Sequence, residues 1–165
     1  IPSTMELIRE EENEQGYIAK IWRDKAYEPP LDKSMNQFVL DRFEHTVKAN
    51  VHGETGQIQG FIWFKERIGE LSLSFQQCEL IAAKFIRTYF PAFVPFLKLK
   101  VKDPSFNEAN RAIFHFGVFV QDLKLDGEFF MLSVNKTTGL IDMLMGPKMS
   151  VNVLREFTPQ AALPF

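Results

Sequence analysis

Side chains able to do acid–base, nucleophilic or metal chemistry are sparse in this sequence. There are three histidines, His45, His52 and His115, and one cysteine, Cys78. A metal site needs several such ligands at short, matched spacing, as in His-Glu-x-x-His or paired Cys-x-x-Cys, and neither occurs. His45 and His52 flank a stretch that alternates like a strand. Their odd offset puts them on opposite faces. No metal site is therefore expected. His115, inside Phe114-His115-Phe116, reads as a strand residue that faces water or is satisfied by a hydrogen bond rather than as a base. Cys78 falls in the first turn of a predicted helix, where the helix dipole could lower its pKa. It also lies on that helix's apolar stripe, and the preferred reading is a small buried hydrophobe. Asp41, Glu44 and Asp142 could meet other acids in space, but with 21 acidic residues the chain offers many such triples. No Gly-x-Ser-x-Gly elbow and no phosphate-binding glycine loop is found, so neither a catalytic residue nor a cofactor is expected.

The richer signal is aromatic. Phenylalanine occurs 17 times against 3 Tyr and 2 Trp, and a ring with no polar handle is best buried. Phe85, Tyr89, Phe90, Phe93 and Phe96 gather around the end of the predicted helix, beside Pro91 and Pro95. Their first reading is core between helix and sheet. Their functional reading is an apolar groove for a peptide or a lipid-like ligand. Lys98, Lys100 and Lys102 alternate with Leu97, Leu99 and Val101. They either flank such a groove or guard an edge strand, and the guard reading is preferred. The candidate binding residues are therefore Phe85, Tyr89, Phe93, Phe96, Lys98 and Lys100.

The elements that must position these residues can be read in order. Residues 5–24 form a hairpin around Asn13-Glu14-Gln15-Gly16, with a short helix over residues 4–12 as the rival. Glu28-Pro29-Pro30 opens a connector that excludes helix and central strand. A strand near Gln37–Phe43 follows. Val47, Ala49 and Val51 then alternate with polar residues, as in a strand with one wet face. Gln57–Phe64 returns, with Ile58, Gly60, Ile62 and Phe64 on one side and Phe61 and Trp63 on the other. Ser74 and Gln77 make a capping box for the one long helix, residues 74–90, which carries Cys78, Ile81, Ala82, Phe85, Ile86 and Tyr89 as one stripe. Pro91 ends it. Strands follow at Phe96–Lys102, Ala112–Val120 with a kink near Gln121-Asp122, Phe129–Val134 and Leu140–Met145. Asp126-Gly127 reads as a tight turn. A short helix near Val151–Phe157 closes the chain.

One stretch occurs twice. Val51-His52-Gly53-Glu54-Thr55-Gly56-Gln57-Ile58 is echoed by Val134-Asn135-Lys136-Thr137-Thr138-Gly139-Leu140-Ile141. In each, a strand ends at Val, Thr-Gly closes the loop and a strand returns at Ile. Glycine there supplies the positive φ that such a hairpin needs. Thr55, Gly56, Thr138 and Gly139 are therefore structural turn residues. The spacing is too long for a solenoid and fits two copies of a small α+β unit. Repeat 1 covers about residues 1–68 and lacks its helix, which this reading places upstream of Ile1. Repeat 2 covers about 72–147, and 148–165 is a tail.

A helix, then strands, then Val-x-x-x-Thr-Gly-x-Ile resembles the PepSY domain and the related YcdB/YcdC-type bacterial repeats. The segment from Val120-Gln121-Asp122 through Asn135-Lys136-Thr137-Thr138-Gly139 carries that resemblance in the second copy, and residues 46–64 carry it in the first. His52 stands where such repeats tend to have Asp, and an Asx side chain caps the turn better than His. Asp122 stands where they often have Gly. The resemblance implies a cystatin-like helix packed on a curved antiparallel sheet. It also implies a bacterial, often extracytoplasmic and non-catalytic protein, in some cases one that restrains or chaperones peptidases. A cytoplasmic place is compatible as well.

Bulk properties bound the rest. A formal charge of -2 without a basic face speaks against nucleic acid. No run reaches the roughly 18 apolar residues of a membrane helix. One cysteine permits no internal disulfide. The expected fold is α+β, two degenerate repeats of antiparallel sheet with one main helix packed on it. The expected role is non-enzymatic protein or peptide binding. The alternatives are a carrier of a small apolar ligand between helix and sheet, and an enzyme with a dispersed site.

Overall fold

The computed structural model describes residues 1–28, 45–63, 70, 72–99 and 110–157. The predicted strand at Gln37–Phe43, the proline connector beyond Glu28, and Asp41, Glu44, Phe64, Lys100 and Lys102 lie outside the described residues. Among the described residues, eight strands form one antiparallel sheet. They are β1 (Met5–Glu12), β2 (Tyr17–Asp24), β3 (Thr46–His52), β4 (Ile58–Ile62), β5 (Leu97–Leu99), β6 (Arg111–Val120), β7 (Leu123–Asn135) and β8 (Ile141–Met145). Helix α1 (Phe75–Tyr89) runs into a 3-10 segment (Pro91–Phe96), and α2 (Val151–Glu156) follows β8. The spatial order is β1-β2-β3-β4-β8-β7-β6-β5, so two meanders join through the pair β4·β8.

Local chemistry explains most of these boundaries. The hairpin over residues 5–24 is confirmed, and Asn13 builds its turn by accepting the amides of Gln15 and Tyr17 on its side chain. The helix α1 starts where Ser74 Oγ accepts from Gln77 N and Gln77 Oε1 accepts from Ser74 N, the two halves of a capping box. It ends where Pro91 offers no amide to continue. The buried stripe Cys78, Ala82 and Ile86 is small at two of three positions, which lets the helix sit close on the sheet. Ser150 caps α2 through Val153 N.

Helix α1 covers one face of the sheet. A row that reads Ala49, Phe61, Leu144, Leu132, Phe114 across β3, β4, β8, β7 and β6 lies on that face. Phe130 packs edge-on against Phe90 and Phe93, with ring centroids at 5.1 and 5.2 Å. Burying such a ring contributes about 2–3 kcal/mol. Phe114, Phe130, Leu132, Val134 and Leu144 are fully buried and fill the space under the helix.

Three sequence expectations are corrected. The chain reverses at Gln121-Asp122, where Val120 pairs with Leu123 and both turn residues have positive φ, 49° and 65°. That is the geometry of a type I′ turn. Asp126-Gly127 is not a turn: β7 runs through it, and Gly127, with φ of 79°, sits in an irregular stretch where the register with β6 shifts. Finally, Ile58 does not share a face with Gly60 and Ile62. A bulge at Gln59 pairs Ile58 with Val51 and so turns it to the side of Ala49 and Phe61. Phe96 ends the 3-10 segment, and the described part of the following strand is Leu97–Leu99.

The type I′ turn carries a measurable strain. Left-handed backbone is costly for Gln and tolerable for Asp. Changing Gln121-Asp122 to Asn-Gly should stabilise the protein by about 1 kcal/mol, read as a higher melting temperature. The change removes an exposed ion pair, Lys98 Nζ to Asp122 Oδ1 at 2.5 Å, which solvent screens. The Lys98 hydrogen bond and charge hold the Asp122 carboxyl below its usual range. Its small contribution is therefore present at neutral pH and fades as acid carries the solution through that lowered value.

Candidate functional site

The two Thr-Gly loops have the same backbone and different surroundings. In the second, Asn135 Oδ1 accepts from Thr137 N at 2.9 Å and Thr138 N at 3.2 Å. In the first, His52 Nδ1 accepts one longer bond, from Thr55 N at 3.4 Å. Gly56 and Gly139 both take positive φ, 68° and 71°. The second loop is docked beneath the start of α1: Ser72 N and Leu73 N donate to Lys136 O, and Gly139 abuts Leu73 and Ile81. A Cβ at Gly56 would meet nothing within 4 Å. The first loop thus leaves its side chains to line a surface groove.

That groove has a volume of about 410 Å³. Three distant segments build it. Tyr17 and His52 come from the β2–β3 side, with rings edge-on at 5.2 Å, and Thr55 and Gln57 come from the loop beyond. Tyr89, Phe90, Pro91 and Phe93 come from the end of α1 and the 3-10 turn. Pro147, Ser150 and Asn152 come from the segment after β8, with Phe130 as the floor. Tyr89 is 67 % exposed, whereas Phe93 is 5 % exposed, so one offers its ring to solvent and the other supports the wall. Among the described residues no Asp, Glu, Lys or Arg lines the groove.

Of the candidate residues, Tyr89, Phe93 and Thr55 are brought together here. Phe85 packs against Tyr89 from outside the lining, with the rings tilted and their centroids 4.9 Å apart. Phe96 packs against the core. Lys98 is on β5, paired with Asp122 and 4.9 Å from the Phe119 ring centroid, away from the groove. Thr138 and Gly139 belong to the docked loop. Sequence reasoning missed Tyr17 and His52 as a wall. Each stands at the loop-side end of its strand, and that shared position was the available signal.

The segment after β8 reaches the groove because Glu128 anchors it. The carboxylate of Glu128 is buried and accepts the backbone amides of Lys148 at 2.8 Å and Met149 at 3.0 Å. Charge-assisted bonds to backbone of this kind fix a loop firmly.

The other chemical candidates are placed elsewhere. His45 stacks on Tyr27 with centroids 4.3 Å apart, and His115 packs 4.8 Å from Phe129. Among the described residues no three His, Cys, Asp or Glu side chains form a metal-holding cluster. Cys78 is fully buried, and that burial pushes its thiol pKa up, with Lys136 opposing weakly. It is an inert packing residue. Asp142 meets no acid in the described structure. Its carboxylate accepts Arg111 Nε at 2.6 Å and the Ser133 hydroxyl, all within the sheet. No described helix is long and apolar enough to cross a membrane.

Comparison with known proteins adds the following. A family model described as the YcdB, YcdC repeated domain matches residues 1–148. The chain is 29% identical over 158 residues to the uncharacterized protein YcdB of Bacillus subtilis, covering 94% of this chain and 33% of that protein. It is 28% identical over 130 residues to the uncharacterized protein YcdC of the same organism, covering 79% of this chain and 28% of that protein. The chain thus spans about a third of the length of the curated relatives it matches. Among solved structures, the Bacillus megaterium YpeB C-terminal domain aligns with a TM-score of 0.60 at 9% identity, over 97% of this chain and 60% of that one. At that identity the likeness concerns the fold alone.

Proposed function

The chain belongs to the YcdB, YcdC repeated-domain family, and from that premise we propose that it is a non-catalytic module that binds a protein or peptide segment in the aromatic groove beside α1. The supporting observation is the make-up of that groove: exposed Tyr89 and half-buried Tyr17 over a Phe130 floor, with amide side chains from Gln57, Gln59 and Asn152 and no Asp, Glu, Lys or Arg. Tyrosine gives large contact area with few rotatable bonds, and it is enriched where proteins bind one another. Amide side chains can satisfy the backbone of an extended peptide.

In this reading the two meanders are degenerate repeats of one cystatin/PepSY-like unit. Their shared loop geometry supports it: Gly56 N donates to His52 O as Gly139 N donates to Asn135 O, both at 2.8 Å. A peptidase is the partner class that the resemblance implies, with an extracytoplasmic place of action. The carrier alternative needs an enclosed cavity between helix and sheet. The large buried side chains of Phe114, Phe130 and Leu132 in that space weigh against it. Strand addition at β5 is a second route to the same class of partner, with Lys98 as its guard.

The test is selection of peptides from a random display library on the purified domain, followed by titration of the selected peptide into Tyr89→Ser. That variant should fold normally, because Tyr89 is exposed, and should weaken binding about tenfold. No enriched peptide, or one whose affinity ignores Tyr89 and Tyr17, would sink the groove reading.

A further inference from the structure

The sheet face opposite α1 has a character of its own. Two register rows lie on it, one either side of the row that α1 covers. One reads Lys48, Ile62, Met143, Ser133, Ile113 across β3, β4, β8, β7 and β6, and the other reads Asn50, Gly60, Met145, Met131, His115. At the Ser133 end this face is closed, with Ser133 fully buried, whereas Ile62, Met145 and, on β7, Phe129 line an opening. Met145 is 43 % exposed. A trough of about 280 Å³ opens here, with Gly60 in its lining. Methionine is flexible and polarizable, and it recurs on surfaces that receive apolar helices.

The rim of this trough is charged, unlike the aromatic groove. Lys48 stands on β3 at one side and Lys148 stands beyond β8, both exposed. Neither ammonium has an ion-pair partner among the described residues. Glu128, between the lining residues Gly127 and Phe129, is occupied by the backbone amides of Lys148 and Met149. Among the described residues, the apolar floor therefore carries positive charge on its rim with no carboxylate paired to it.

We propose that this face is a second docking site, for an amphipathic helix of a partner protein whose apolar stripe is flanked by carboxylates. The width argues for a helix. The lining runs from β3 through β4 and β8 to β7, three strand spacings or about 14 Å. That accommodates one helix of about 10–12 Å diameter and leaves a single extended strand loosely held. The site stands independently of the aromatic groove.

The probe is a fluorescein-labelled synthetic helix with leucines at i, i+3, i+4 and i+7 flanked by glutamates. It is compared with a lysine-flanked counterpart and with a scrambled peptide of the same Glu/Leu composition, all read by fluorescence anisotropy. The glutamate helix should bind, more weakly at high salt, and the other two should not. The double variant Lys48→Glu, Lys148→Glu should lose at least about tenfold toward it and gain the lysine-flanked peptide, while Tyr89→Ser changes nothing. Both lysines are exposed, so circular dichroism should show an intact fold. Equal binding of the scrambled peptide, or indifference to the double variant, would overturn the proposal. So would self-association that the double variant abolishes, because a second copy of the chain would then occupy the trough.

Discussion

Gly60→Ala should destabilise the protein by about 3 kcal/mol, although it adds a single methyl group. A Cβ at Gly60 would lie 2.7 Å from the carbonyl oxygen of Leu144 on the facing strand. The obstacle is backbone, so no rotamer change can relieve it. The strand must move, and β4·β8 is the pair that joins the two meanders, with Gly60 opposite Met145 and Phe61 opposite Leu144. Gly146 repeats the situation from the other side. Its Cβ would lie 2.7 Å from Gln59 O, to which its amide also donates. Gly56→Ala is the control. Its φ is positive and its surroundings are empty, so it should cost only the left-handed penalty of about 1 kcal/mol. Urea denaturation of the two variants decides the matter. If Gly60→Ala loses no more than Gly56→Ala, the close approach at the seam is misread. A broadened or two-step transition in Gly60→Ala, with near-normal loss in the control, would mean that the seam couples two otherwise separable halves.

What the sequence disclosed was local. Ser74 with Gln77 announced α1, because both halves of a capping box lie within four residues. The Asn13–Gly16 turn and the two Thr-Gly loops were legible because glycine marks a positive φ. The misreadings came where that marker was absent or reused. Gln121-Asp122 turns the chain with no glycine, while Gly127 serves a register shift inside β7. The sheet order was hidden because pairing β4 with β8 is a contact between distant segments, and its trace is a pair of unremarked glycines, Gly60 and Gly146. The aromatic groove was half visible. Tyr89 and Phe93 stand in one local cluster, whereas Tyr17 and His52 join them through three-dimensional packing. The lysine-rimmed face needed the register itself, since a bulge at Gln59 reverses the parity that alternation assigns to Ile58.

Asp142→Ala is the second large effect, about 3–5 kcal/mol, and its cause is charge rather than volume. Asp142 is the extra residue of a bulge: Ser133 pairs with Met143 and Val134 with Ile141, so Asp142 has no partner across the ladder. Its side chain instead serves neighbouring strands. One oxygen accepts Arg111 Nε of β6 at 2.6 Å, the other takes the Ser133 hydroxyl of β7, and its backbone carbonyl accepts Trp63 N just past β4. The Arg111 and Asp142 side chains are 11% and 7% exposed, too little for water to replace a lost partner. Alanine strips a nearly buried guanidinium of its carboxylate and a fully buried hydroxyl of its acceptor. Removing one member of such a pair costs more than the pair contributes. The same logic predicts that Arg111→Met combined with Asp142→Leu recovers most of the loss, because neither charge of the pair then remains to be desolvated. Asp142→Asn should fall between, since it keeps an acceptor for Ser133 and gives up the charge. Guanidinium denaturation of the three variants orders them. A double variant as unstable as Asp142→Ala would show that the bulge geometry, not the buried charge, is what Asp142 supplies.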